Sequence, residues 1–170
     1  MDSDDSIPGA VDHATGSVAP PVHPDLQRVL AYWHAKRGTR AFPQRNDIDP
    51  TDLRFVLGRI ALAEVHDGEA AGSPRRYRLR LVGSWWHTLL GLESTGVWVD
   101  EWPMVNQARL TTELYEALIA DRRPRVTHRN DWVDEKQLDY EIIALPLSED
   151  GARISMIMTA IGPDKADWGY

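Results

Sequence analysis

The chain has 170 residues, 42% of them hydrophobic and 26% charged, with a formal net charge of −7; this suits one globular domain with a core of its own. The negative balance disfavours nucleic acid and anionic membranes as partners. The lack of any cysteine rules out disulfides, thiolate metal sites, thiol nucleophiles and chromophores attached through sulfur.

Residues 1–22 are acidic and rich in Gly, Pro and Ser, without apolar period, and read as a disordered tail. They lack the basic start and apolar run of a secretory leader, and no later run reaches the roughly 18 apolar residues of a membrane span, so a cytoplasmic protein is expected. A helix is predicted over 24–37. Pro24 suits its first turn, Leu26, Val29, Leu30 and Trp33 form one apolar stripe, and Gly38 stops it. Asp49 and Pro50 then predict a short helix from Leu53 to Leu57, ended by Gly58.

Two strands follow, Ile60–His66 and Arg75–Val82, joined by a loose loop. The second alternates Tyr77, Leu79 and Leu81 against Arg76, Arg78 and Arg80. Ser84 is placed as the cap of a helix running to Leu90, residues 93–103 are turn-rich and aromatic, and a longer helix covers 104–120. Three strands end the domain, at 125–133, 138–147 and 152–161, leaving 163–170 as a short tail. The last strand is apolar on both faces, which places it centrally in its sheet. The expected architecture is α+β: a five-stranded antiparallel sheet with helices mainly on one face and one helix preceding the core.

This element order resembles the PAS domain. Tyr32-Trp33, Arg45-Asn46-Asp47-Ile48-Asp49-Pro50, Tyr77-Arg78-Leu79 with Val82-Gly83-Ser84, Leu90-Gly91, Thr95-Gly96, and Leu145-Pro146-Leu147-Ser148 before Asp150-Gly151 resemble a PAS subfamily of small stand-alone alphaproteobacterial proteins. The resemblance spans roughly residues 26–162. It implies a PAS fold over 23–162, a possible internal ligand pocket, self-association and a regulatory role, but no catalytic residues.

Seven tryptophans are the most unusual content. In a PAS layout Trp85, Trp86, Trp98 and Trp102, with Tyr77, Leu79, His87 and Tyr115, either line a small-molecule pocket or fill the core outright. His87 is a lone histidine on the helical side, where haem-binding PAS domains place their ligand, yet no haem motif falls on it. Glu64 and His66 share a strand face, but two ligands without a third make no metal site, and no motif names a cofactor. The arginines at 75–80 and 122–129 would sit on opposite edge strands and deter edge pairing; Arg78 and Arg80 are alternatively candidates for an anionic ligand or acidic partner. Leu26, Val29, Leu30 and Trp33 are the candidate homodimer surface. No GxSxG, phosphate loop, GxGxxG or HExxH is present, so the expected role is a ligand-responsive module acting on a separate signalling protein. The alternatives are a ligand-free homodimeric adaptor with a tryptophan-filled core and, third, an enzyme using the same cavity.

Overall fold

The computed structural model describes residues 15–164 apart from Asp134; the side chain of Val133 is also outside the description. Five strands form one antiparallel sheet: β1 (Ile60–His66), β2 (Arg76–Val82), β3 (Arg125–Val133), β4 (Lys136–Leu147) and β5 (Met156–Pro163), in the order β2-β1-β5-β4-β3. The strand apolar on both faces is therefore central, and the two arginine-bearing strands are the edges, as their patterns predict. The helices are α1 (Pro24–Arg37), α2 (Ser84–Leu90) and α3 (Val105–Asp121).

Register assigns the faces, because directly paired residues point to the same side of a sheet. Ile143, Leu145 and Leu147 of β4 pair with Ala160, Met158 and Met156 of β5 and face α1. Ile142 and Ala144, paired with Ile161 and Thr159, face α3. The α1 side is the outer face and the α3 side the inner. A side chain at Gly162 would meet the His23 ring at 2.4 Å, so this glycine lets α1 begin directly against β5.

The predicted dimer stripe is used at home. Leu26, Val29 and Trp33 are 0%, 0% and 2% exposed, and the Trp33 indole donates to the Pro146 carbonyl at 2.9 Å. The outer face needs a cover, and the chain's own helix supplies it; Leu30 alone stays half-buried. Pro146 is tolerated because β3 stops pairing at Ala144, leaving that side of β4 without a neighbour that needs its N–H.

Four local expectations change. Residues 15–22 pack along the domain: Ser17 bridges Val126, Arg125 donates to the carbonyls of Thr15 and Gly16, and the buried carboxylate of Glu141 accepts the N–H groups of Val22 and His23. Residues 1–14 of that predicted tail, and 165–170 of the C-terminal one, lie outside the described residues; Pro163 closes β5. The helix expected at Leu53–Leu57 is a run of turns with three-residue hydrogen bonds, such as Val56 to Leu53 and Leu53 to Pro50, followed by a 3-10 turn over Leu57–Arg59. Three residues per turn stack Leu53 and Val56 on one side, and both are buried in the core. The cap of α2 is Gly83, with Ser84 its first residue.

Gly83 sits where the end of β2 crosses the backbone before β1. A β-carbon there would lie 2.2 Å from the Gly58 carbonyl oxygen and 2.9 Å from that of Leu57. Gly83→Ala is expected to destabilise by about 2–3 kcal/mol, since backbone cannot rotate aside as a side chain can. A melting midpoint within a degree of wild type would show that the crossing opens freely.

Candidate functional site

The polar residues on the inner face converge under α3. Thr127, Arg129 and Asp131 alternate along β3 on that side, opposite Ile142, Tyr140 and Leu138 of β4. Arg129 is only 7% exposed. Its Nη1 donates to Thr111 Oγ1 at 3.1 Å and to Gln107 Oε1 at 3.3 Å, both on α3. Its Nε and Nη2 are buried and have no acceptor in hydrogen-bond geometry among the described residues, although the Tyr140 hydroxyl lies close enough to favour the cation. Leaving a charged donor buried and unpaired costs about 1–3 kcal/mol or more, so such an arrangement calls for a reason.

Neighbouring groups hold this guanidinium in place without satisfying it. Asp131 accepts the Tyr140 hydroxyl on one carboxylate oxygen and the Gln107 amide on the other. Gln107 thus links Arg129 to Asp131 through its two ends. Burial lowers the proton affinity of Arg129, opposed by the hydroxyls of Tyr140 and Tyr115 and by the charge of Asp131; arginine stays cationic through such shifts. Burial first, then the charge of Asp131, pushes the Tyr140 hydroxyl well above the usual tyrosine range. Tyr115 is raised by burial alone, against the Thr159 hydroxyl and Arg129. Arg129 lines a cleft of about 320 Å³ between α3 and β3, together with Asn106, Gln107, Leu110, Asp131 and Asp139.

The sequence candidates divide between the two faces. Tyr77, Leu79, Trp85, Trp86, Trp102 and Tyr115 are buried in the core. Trp85 meets Tyr140 edge-on at 5.8 Å, and Tyr115 meets Tyr77 at 5.0 Å, so aromatic rings border the Arg129 cluster. The Trp86 indole donates to the Arg59 carbonyl, which ties it into the structure. Trp102 Nε1 and Ser94 Oγ are buried without a partner among the described residues. Trp98 does not join them. Residues 96–98 run along the β2 edge, with Gly96 N–H donating to the Leu79 carbonyl, and the Trp98 ring lies by Arg76 (4.2 Å), His66 and Arg78. His66 and Arg76 pair in the register facing away from Tyr77, so Trp98 belongs to the outer side.

The remaining candidates already have protein partners. His87 holds Glu93 through Nδ1 at 3.1 Å and the Val82 carbonyl through Nε2 at 3.3 Å, a poor start for an axial haem ligand. Arg78 donates to the Gly96 carbonyl, and Arg80 pairs with Glu64. His66 also reaches Glu64, and no group of three or more His, Asp or Glu suited to a metal ion occurs among the described residues.

The sequence model of the PAS domain matches residues 22–161. The chain belongs to the PAS domain family. PAS domains are sensory and regulatory modules, and the strand order and helical layer fit that assignment. No curated protein matches the chain. Among solved structures it is similar to the PAS domain from Bordetella pertussis BvgS, at 11% identity and a TM-score of 0.41, covering 65% of this chain and 79% of that one. No helix of the described residues is long and apolar enough to cross a membrane.

Arg129 was not among the sequence candidates, since it reads as one of several edge-strand arginines. Gln107 and Thr111 were the available signal: two polar residues four apart on the helix face that also carries buried Ala108, Leu114, Tyr115 and Leu118.

Proposed function

We propose that this PAS domain is a sensory module that holds a small molecule between α3 and the β3–β4 hairpin. Its occupancy is passed to a separate signalling protein. The observation that carries this reading is the buried Arg129 edge without an acceptor in hydrogen-bond geometry, on a residue that lines a cleft with Gln107 and Asp131. A cost of that kind is retained where a ligand supplies the missing partner. A ligand would bridge α3 and β3, and so couple occupancy to the position of a long helix over the sheet.

A second reading has its own support: Trp85, Trp86 and Trp102 are 7%, 4% and 4% exposed and fill the space expected of a pocket around α2. The protein is then a ligand-free adaptor, acting through its surface or through self-association.

Native mass spectrometry and an absorption spectrum on gently purified protein separate the two. A reproducible extra mass per subunit, with slowed hydrogen exchange in α3 and β3, supports the sensor. A clean apo mass, with no thermal shift across a metabolite panel, moves the assignment to the adaptor.

A further inference from the structure

We infer that the free edge of Arg129 receives the carboxylate of a small monocarboxylic acid. This rests on the ligand-binding reading above and adds the chemical class. The two N–H groups on Nε and Nη2 lie parallel along one edge of the guanidinium plane, the spacing of two carboxylate oxygens. The same chain shows that edge filled: Arg76 donates from Nε to Asp100 Oδ2 at 2.7 Å and from Nη2 to Asp100 Oδ1 at 2.8 Å. At Arg129 the corresponding two nitrogens are buried with no acceptor in hydrogen-bond geometry, the Tyr140 hydroxyl being the nearby group that favours the cation, while Nη1 is held by Thr111 and Gln107. The fork is therefore oriented before any ligand arrives.

Asp131 does not fill the place: its oxygens accept from Tyr140 and Gln107, and it makes no hydrogen bond to Arg129. The charge balance narrows the class further. Among the described residues Asp131, Asp139 and Asp164 line the cleft, against one arginine, Arg129, and one histidine, His128, which also reaches the Glu141 carboxylate. A second negative charge on the ligand would face these carboxylates across a partly buried space, which disfavours dicarboxylates and phosphates. Leu110 in the lining favours a ligand with an apolar body.

The test is calorimetric titration and thermal shift of the full chain with benzoate, benzamide, acetate, butyrate, succinate and inorganic phosphate, repeated on Arg129→Gln and Arg129→Lys. At least one monocarboxylate is expected to bind the wild type, with the amide, succinate and phosphate at least about tenfold weaker. Arg129→Gln loses at least about tenfold, and Arg129→Lys keeps the charge but loses most of the gain, for want of the planar fork. Equal binding of benzoate and benzamide overturns the inference and needs no variant to fold. So does unchanged monocarboxylate binding in a folded Arg129→Gln; either leaves the ligand-binding reading standing. No binding by any monocarboxylate up to about 10 mM, well above the weak-binding range, also overturns it. The mass of the native protein then decides separately whether a different ligand occupies the cleft.

Discussion

Trp33→Ala is expected to destabilise the protein by about 3–5 kcal/mol, the usual cost of truncating a fully buried tryptophan, and to lower the melting midpoint by roughly 10–15 °C. Trp33 is 2% exposed, and its indole N–H satisfies the carbonyl of Pro146 across the outer sheet face. Truncation removes the ring, leaves a cavity beside β4, and takes away the indole donor of that carbonyl. Trp33→Phe keeps most of the ring and loses the hydrogen bond, so it should cost about 1–2 kcal/mol. Thermal unfolding followed by circular dichroism separates the terms; a midpoint within a few degrees of wild type for the alanine variant would show that α1 does not hold the face. The consequence reaches beyond stability. With α1 loosened, Leu145, Ile143 and Met158, all fully buried, would meet water. A sheet face of that kind self-associates or aggregates, so Trp33→Ala should also raise the apparent mass in light scattering.

The element order, the central position of β5 and the edge positions of β2 and β3 are legible because each rests on alternation or on double-sided apolarity. Other features depend on partners distant in the chain. Residues 15–22 have the composition of a tail, and order comes from Val126 and Glu141, more than a hundred residues away. Trp98 sits among other aromatic residues in sequence, yet one bridge, Arg78 to Trp98, turns it to the outer side. Alternation hides Arg129 because β3 carries polar residues on both faces: His128 and Asn130 on one, Thr127, Arg129 and Asp131 on the other. Only the register with β4 shows which of them are covered by α3. The stripe of α1 was legible as a surface that needs a partner, but a helix pattern does not say whether that partner is its own sheet or another subunit.

Raising the pH above about 10.5 should destabilise the fold by about 4 kcal/mol per pH unit, about 1.4 kcal/mol for each of three buried tyrosines. Tyr77, Tyr115 and Tyr140 are 2%, 1% and 1% exposed. Burial is the first cause that raises all three above the usual tyrosine range, with the carboxylates of Glu116 at Tyr77 and Asp131 at Tyr140 adding to it. The folded chain therefore keeps three protons that the unfolded chain gives up near pH 10, so the stability they contribute is complete below that value and lost as pH rises. Among other groups in this window, half-buried Tyr32 is also raised by burial and adds to the slope in the same direction, lysine occurs only at positions 36, 136 and 165, and arginine does not titrate there. Denaturant unfolding at a series of pH values gives the slope, and tyrosinate absorbance should appear together with loss of structure. Smooth ionisation of all five tyrosines near pH 10 in a folded protein would sink the argument. Tyr77→Phe removes one ionisable group and should reduce the slope by about a third, whereas Tyr140→Phe should do the same and also free Asp131 from its hydroxyl donor. If the slope falls equally in both but carboxylate binding changes only in Tyr140→Phe, the buried tyrosines divide into one that packs the core and one that holds Asp131 away from the open edge of Arg129.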